Sequence, residues 1–578
     1  MPTEPLGRVA APPEHESTSG KFFFWVDKTK SVERTQIVTT KSQVGGREVS
    51  FVGIVHEVYR RSRQRDVGEE AARFDGNSLA KPPFDSEGVT FAEVAILRTE
   101  PVAHTPPTEE SEVFLGDEQA AKKGYGLDRM GQRFDIGLLR NGGTEFAGRA
   151  AIDLDFLLGK NGGHLNVNGI AGLGTKSTLL LTMNWLLLRE AAKQKLQRTS
   201  DPNRLQVVPV VFNVKNFDLF FIDRWNKDFR AKEAEHRDEW RKAGIESPTP
   251  FERPTFFAPQ GRGVSTPVRT GGRTADVKPY SWSLANVIEQ GIFQYMFSED
   301  DVNDANFGGL VGELEEHLTE ESKGDRRLRT DVPQTFQALL DWFRANKDGL
   351  FTDFVKGTKG KLLRRLKYIV MEGDGVLRRN DAKGNPLTIP ATGQDAPIVI
   401  DLYGLHATPS LQRFVVAAVF HQIQQAQSEK QVPNLKYLIT LDELNRFAPK
   451  DSSDPITQKL ETVASEGRSQ GIILFGAQQQ ASLVKPRVIE NAAVRAIGRS
   501  GTLELGAEVW KFLNKSARDA ASQLQPEEKL IYIPSFREPM LAKIPFPPFA
   551  LSVGDVDSSA PSTSVAGPRY GVPETDAF

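Results

Sequence analysis

The sequence predicts an α/β protein: a largely parallel sheet with a glycine-rich strand-to-helix turn, preceded by a small β-barrel and interrupted by a helical insertion. Three observations predict it. The apolar run Leu165-Asn-Val-Asn168 enters the turn Gly169-Ile-Ala-Gly172-Leu-Gly174-Thr175-Lys176-Ser177-Thr178, which opens into Leu179-Leu180-Leu181. A second apolar run, 435–441, ends in Asp442-Glu443. Finally, the runs at 207–212, 397–400, 435–441 and 471–475 are predominantly apolar and separated by helical stretches, the pattern of a sheet covered on both faces.

Taken in order, residues 1–18 are rich in Pro, Glu and Ser and read as a loose N-terminus. From 19 to 150, short β-prone runs alternate with turns (Lys21–Val26, Glu48–Val55, Thr90–Leu97 and Asp135–Leu139), which predicts a small barrel. The first part of the sheet occupies 151–222. A mainly helical insertion follows at 223–370, longer than an ordinary connection and broken by a loop rich in Gly, Pro and Arg. The second part of the sheet spans 371–549, with a helix from Leu411 to Ile423, and 550–578 loses apolar content as a C-terminal tail.

Composition narrows the chemistry. At 578 residues, about two or three domains are expected. Lys and Arg number 73 against 75 Asp and Glu, a net charge of -2, so any nucleic-acid contact must come from a local surface. With no Cys, disulfides, thiolate metal sites and thiol nucleophiles are excluded. No apolar signal segment opens the sequence and no run reaches membrane-span length, so a soluble cytoplasmic protein without a membrane partner is expected.

A strand, a glycine turn and a helix aim backbone N–H groups and a helix N-terminus at phosphate. The turn therefore reads as a nucleoside triphosphate site built from Gly169, Gly172, Gly174, Thr175, Lys176, Ser177 and Thr178. Its spelling departs from G-x-x-x-x-G-K-[ST]: the glycines lie one position further from the lysine, and Thr175 stands where glycine normally precedes it. One added loop residue accounts for this; the competing reading is a turn that binds nothing. Asp442 and Glu443 suit a phosphate-transfer site, one carboxylate organising Mg²⁺ and the next polarising the attacking water. The plainer alternative is an acidic helix start.

Gln478, at the tip of the run beginning at Gly471, is placed to touch both water and γ-phosphate, although Gln479 and Gln480 beside it leave the choice open. Arg468, Arg495 and Arg499 are candidates to complete the site across a subunit boundary, and the sequence does not choose among them. The basic cluster Lys356, Lys359, Lys361, Arg364, Arg365 and Lys367 fits either a DNA-facing surface or a solvated helix face packed through Leu362, Leu363 and Leu366.

The assembled pattern resembles the HerA family of hexameric DNA-translocating ATPases, in the HerA/FtsK branch of RecA-like motors. The resemblance rests on Ile136-Gly137, Asp153-Leu-Asp-Phe-Leu-Leu158, Gly169–Thr178, Val214-Lys215-Asn216-Phe-Asp218, Ile400-Asp401, Asp442-Glu443-Leu-Asn-Arg446-Phe-Ala-Pro449, Glu466-Gly467-Arg468 and Ser535-Phe-Arg-Glu-Pro539. It implies a RecA-like P-loop ATPase core with a HAS-barrel-like N-terminal domain, a homo-hexamer, ATP and Mg²⁺ as cofactors, and duplex DNA in a central pore. Its partner would be a NurA-like nuclease, a sirtuin-like enzyme or another antiphage-defence effector. Residue by residue, it implies Lys176 on the β- and γ-phosphates, Ser177 on Mg²⁺, Asp442 holding Mg²⁺ through water, Glu443 activating water and Gln478 sensing the γ-phosphate. Arg468 and Arg499 remain the arginines carried forward.

The chain departs from that family at the shifted glycines, at Asn213 where an acidic residue often stands, and at Gln479-Gln480 in place of a common Arg-Pro. These departures motivate a second reading: a slow or non-processive ATPase ring serving as an assembly platform and nucleotide-controlled regulator of a partner enzyme.

Overall fold

A computed structural model describes residues 4–559 except 14, 63–66, 78, 82–87, 161, 171–174, 198, 269, 274–275, 323–324, 430–431 and 453–454. Among the described residues, six strands close a barrel in the order β1-β2-β5-β4-β3-β6: β1 (Gly7–Val9), β2 (Lys21–Val26), β3 (Ile37–Val44), β4 (Arg47–Ser62), β5 (Gly88–Glu100) and β6 (Glu112–Leu115). Phe22, Phe24, Val38, Phe51 and Val94 fill its interior.

Twelve further strands form one sheet: β7 (Arg133–Arg140), β8 (Phe146–Asp153), β9 (Leu165–Asn168), β10 (Gln206–Asn213), β11 (Thr255–Pro259), β12 (Val277–Tyr280), β15 (Ile398–Asp401), β16 (Leu435–Leu441), β17 (Ile472–Gln478), β18 (Val494–Ile497), β19 (Glu528–Tyr532) and β20 (Met540–Lys543). A separate hairpin, β13 (Thr319–Ser322) with β14 (Asp325–Leu328), lies in the insertion. The sheet order is β12-β11-β15-β10-β16-β17-β9-β18-β19-β20-β7-β8, parallel from β12 to β18 and antiparallel beyond. The strand before the glycine turn (β9) is separated from the strand before the acidic pair (β16) by β17, and β18 flanks it on the other side. The fold is thus the expected α/β core with an N-terminal barrel and helices inserted between its strands.

The principal helices are α1 (Thr175–Gln197), α2 (Glu233–Lys242), α3 (Ala305–Leu318), α4 (Phe336–Leu350), α5 (Lys356–Glu372), α6 (Pro409–Glu429) and α7 (Pro455–Glu466). Strand alternation sorts them into two cores. Val208, Val210 and Phe212 of β10 pack with Leu310, Leu339, Leu362, Phe414 and Leu460 of α3–α7. Val207 and Val211 of the same strand pack on the other face with Leu180, Met183 and Trp185 of α1. Both faces of the central strands are buried, which is why they read as continuous apolar runs.

Several expected boundaries shift. Gly7–Val9, assigned to the loose N-terminus, is a barrel strand paired with β2 and β6. Asp135–Leu139, assigned to the barrel, lies in β7, which pairs with β8 and β20 and so extends the large sheet. The insertion, expected to be mainly helical, also carries β11 and β12, which add parallel strands beside β15. The tail boundary at 550 is also early: Ala550 N donates to Arg224 O at 2.9 Å and Asp557 N to Trp225 O at 2.9 Å, so backbone pairing holds the chain where apolar content fades. Residues 560–578 lie outside the described residues.

Candidate active site

The site forms at the C-terminal ends of β9, β16, β17 and β10, where parallel strands release their chains toward one edge. Alternation decides which side chains meet there. Leu441 packs with the α3–α7 core, so the next residue, Asp442, turns to the face carrying α1. There Ser177, in the first turn of α1, donates its Oγ to Asp442 Oδ2 at 2.6 Å. Glu443 leaves the strand with φ +56°, a left-handed backbone disfavoured for a side chain with Cβ, and its N–H donates to Asp442 Oδ1 at 2.8 Å. Strain of this kind is held in place by surrounding contacts.

Lys215 supplies the strongest of these. Its Nζ lies 2.6 Å from Glu443 Oε1 and 3.2 Å from Asp442 Oδ2. Burial works to raise the Glu443 carboxyl, but the hydrogen bond and charge of Lys215, with help from Gln479 and Lys176, outweigh it and hold the group below its ordinary value. Lys215 is correspondingly raised: burial acts to lower it, and the two carboxylates prevail. Lys176, buried at 4 % exposure, is lowered chiefly by desolvation and donates to Gly169 O at 3.1 Å. Its ammonium thus lies over the start of the glycine turn.

Of the turn itself, Gly169 is fixed by its N–H to Gln478 O at 3.3 Å, and Ile170 N donates to Arg499 O at 2.8 Å. Gly172 and Gly174 lie outside the described residues. Thr175 begins α1, and Thr178 follows Ser177 in its first turn. Ser177 and Asp442 offer a hydroxyl and a carboxylate in direct contact, hard oxygen donors of the kind Mg²⁺ takes in ones and twos alongside water and phosphate. Among the described residues no cluster of three or more His, Asp or Glu side chains is set to hold a metal.

The structure separates the glutamines. Gln478 is fully buried on the face opposite α1, where Ala477 before it faces the α1 core. Its amide pairs reciprocally with Asn166, at 3.0 and 2.8 Å, and reaches Asn168 Oδ1 at 3.5 Å. Gln479 is the one that reaches the acidic pair, its Nε2 donating to Glu443 Oε1 at 3.1 Å. Gln478, the glutamine expected beside water and γ-phosphate, is thus committed to Asn166, and Gln479 is the one beside Glu443.

The arginines divide as well. Arg468 is exposed and precedes β17, so it stands at the opposite sheet edge from Glu443 of its own chain. Arg499 follows β18 on the same edge as the turn, with its side chain exposed. Arg495 is committed elsewhere: its guanidinium sits 4.9 Å over the Phe512 ring and donates to Glu490 O at 3.0 Å. On α5, Lys359 pairs with Asp348 while Lys361 and Arg365 pair with Asp301, which neutralises half of the basic cluster; Leu362 and Leu366 are buried. The leucines thus form the packing side as expected, while Lys359 is buried with them and not solvated.

Sequence reasoning gave Lys215 no role and left Asn213 as a departure. Asn213 Nδ2 donates to Asp401 Oδ1 at 2.8 Å, which ties together the ends of β10 and β15. The signal for Lys215 was present in strand register: Phe212 is level with Leu441, so a lysine three residues past Phe212 emerges beside Asp442 and Glu443.

No protein-family model and no curated protein matches the chain. Among solved structures, it is similar to VirB4 of Thermoanaerobacter pseudethanolicus, with 15 % identity over 72 % of this chain and 97 % of that one and a TM-score of 0.43. The bacterial conjugative coupling protein TrwB lacking its first 70 residues gives 12 % identity over 75 % and 93 %, TM-score 0.45. The genome-packaging NTPase B204 of Sulfolobus turreted icosahedral virus 2, solved with ATP-γS, gives 12 % identity over 26 % and 67 %, TM-score 0.20.

Proposed function

We propose that this chain is a Mg²⁺-dependent ATPase of the RecA-like motor class. The observation that carries the reading is the 2.6 Å contact between Ser177 Oγ and Asp442 Oδ2, which joins the first turn of α1 to the strand end bearing Glu443. Lys176 holds the β- and γ-phosphates of ATP, and the glycine turn supplies backbone donors. Ser177, and Asp442 through water, hold Mg²⁺, which when bound neutralises phosphate charge. Glu443, kept ionised, orients the attacking water and accepts its proton. Lys215 and Gln479 position Glu443.

The fuller reading is a HerA-like homo-hexamer, cytoplasmic and without a membrane partner, that threads duplex DNA and delivers it to a NurA-like nuclease, a sirtuin-like enzyme or another defence effector. Arg468 or Arg499 completes each site from the neighbouring subunit. Among the described residues no helix is long and apolar enough to cross a membrane. The platform reading draws on a separate observation: Lys215 engages both carboxylates at once, a geometry suited to slow turnover until a partner or DNA rearranges it.

The test is steady-state phosphate release from ATP with and without linear duplex DNA, with assembly mass recorded in the same samples. Glu443→Gln is expected to bind ATP but lose turnover by about 100-fold or more, and Lys176→Ala to lose binding. DNA-stimulated turnover by a ring supports the motor, and a nucleotide-bound ring with negligible turnover supports the platform. Unchanged turnover in Glu443→Gln, or a strict monomer with ATP present, refutes the assignment.

A further inference from the structure

Lys215 reaches the acidic pair from a turn whose shape is set elsewhere. β10 ends at Asn213, and the chain then passes through Val214, Lys215 and Asn216 to Phe217. The Asn213 side chain is 1 % exposed, and the Nδ2 of such an amide has two hydrogens to donate. One goes to Asn216 O at 2.8 Å and closes the turn around Lys215; the other goes to Asp401 Oδ1, also at 2.8 Å. Asn216 has φ +42°, a left-handed backbone disfavoured for a side chain with Cβ, so the turn depends on being held.

The anchor lies across β10 from the acidic pair. β16, which leads to Asp442 and Glu443, flanks β10 on one side and β15 flanks it on the other. Asp401, the last residue of β15, is level with Asn213 and fully buried. Its carboxylate is itself fixed: Tyr403 N donates to Oδ1 at 3.1 Å and Gly404 N to Oδ2 at 2.9 Å. The approach at Gly404 requires glycine, because a Cβ there would stand 2.9 Å from Asp401 Oδ2. Leu402 N donates to Asn213 O at 2.8 Å, and the Phe217 and Tyr403 rings meet edge to face at 5.3 Å between centroids. The loops after β10 and β15 are thus joined by backbone, amide and aromatic contacts. Burial pushes Asp401 up to about 6, and the hydrogen bonds from Asn213, Gly404 and Tyr403 oppose that rise. An aspartate at 213 could not replace the amide. Ionised, it has no donor for Asn216 O, and two carboxylates in that contact cannot both ionise freely.

We infer that Asn213 is a positioning residue for ATP hydrolysis: anchored by Asp401, its amide fixes the turn that carries the Lys215 ammonium to Glu443. The inference rests on the ATPase reading of the site and extends its machinery across β10 to the end of β15.

The experiment measures steady-state kcat and KM for Mg-ATP with the full chain, recording assembly mass and unfolding midpoint for every variant. Asn213→Asp keeps the side-chain volume and removes both donors. It is expected to lower kcat by about ten-fold with KM unchanged, because Lys176 and the glycine turn are untouched. Lys215→Met is expected to do the same, and the double variant to fall no lower than Lys215→Met alone. A purely structural contact would instead add its own loss to that of Lys215→Met. Asn213→Ala is the second variant, with the same expectation. Unchanged kcat in a folded Asn213 variant, additive losses in the double variant, or failure of both Asn213 variants to fold overturns the inference and leaves the ATPase reading standing. Absence of turnover by the unaltered chain, with and without duplex DNA, overturns that reading and this inference with it.

Discussion

Replacing Lys215 by Met removes a charge from the centre of the site while keeping most of the side-chain length. The ammonium lies 2.6 Å from Glu443 and 3.2 Å from Asp442, and those carboxylates are 8 % and 9 % exposed. At an effective dielectric of about 20, each contact carries about 5–6 kcal/mol of direct attraction. Desolvation cancels most of that, and Lys215, 38 % exposed, is partly screened by water. The net destabilisation is therefore about 1–3 kcal/mol, arising mainly because two buried carboxylates are left facing each other. On the proposed reading Mg²⁺ would bring replacement charge beside Asp442, so millimolar Mg²⁺ should raise the unfolding temperature of Lys215→Met more than that of the wild type. The pH dependence has a definite sign. Glu443, depressed when folded, contributes stability that is present above its ordinary value of 4.5 and lost as pH falls through the folded value. The variant lacks much of this contribution, so the gap between the two proteins should narrow in acid. Thermal unfolding in chelator, in Mg²⁺ and across pH 3–7 reads all three effects. Equal unfolding temperatures in chelator, with equal responses to Mg²⁺, would refute the claim that Lys215 holds the carboxylate pair.

The two neighbouring glutamines should behave differently. Gln478→Ala strips the partner from buried Asn166 and is expected to cost about 1–3 kcal/mol of stability, whereas Gln479→Ala should lower ATP turnover with little change in unfolding; a denaturant titration paired with a phosphate-release assay separates them. His164 sits at 2 % exposure with its Nδ1 accepting from Leu474 N at 2.9 Å, and burial lowers it from 6.5 to about 4. Because the unfolded chain binds the proton more readily, stability should fall by about 3 kcal/mol as pH drops from the unfolded value through the folded one. His164→Gln should flatten that slope, and an unchanged slope in chemical denaturation across pH 4–7 would refute the assignment.

The central sheet was legible because its strands are buried on both faces, and that same property concealed part of the site. Ile472 and Leu474 of β17 face one core while Ile473, Phe475 and Ala477 face the other, so no polar alternation reveals the phase of the strand. Without that phase, nothing in the sequence distinguishes Gln478 from Gln479. The edge strands were obscured differently. β11 and β12 are only five and four residues long, each contains proline, and β11 joins the sheet through β15, far along the chain beyond the inserted helices. β7 resembles the barrel strands in composition, and only its pairing with β20, some 400 positions away, places it in the large sheet. The glycine turn and acidic pair were readable because their chemistry lies in short contiguous segments. Lys215 was not, because its meaning depends on the register between β10 and β16.

Strand direction also constrains the arginines more tightly than composition does. In a parallel sheet, a residue preceding a strand stands at the opposite edge from one following it. Arg468 precedes β17, so it stands away from its own acidic pair, whereas Arg499 follows β18, where its backbone carbonyl accepts from Ile170 of the glycine turn and its side chain is exposed. The lysines show a complementary division. Lys176 donates to the carbonyl of Gly169 and Lys215 to the carboxylates, so each cation is partnered within the chain. On the proposed ATPase reading, a triphosphate would give Lys176 a stronger, charged acceptor, and positive charge added beside Asp442 would weaken the hold of Lys215 on both carboxylates.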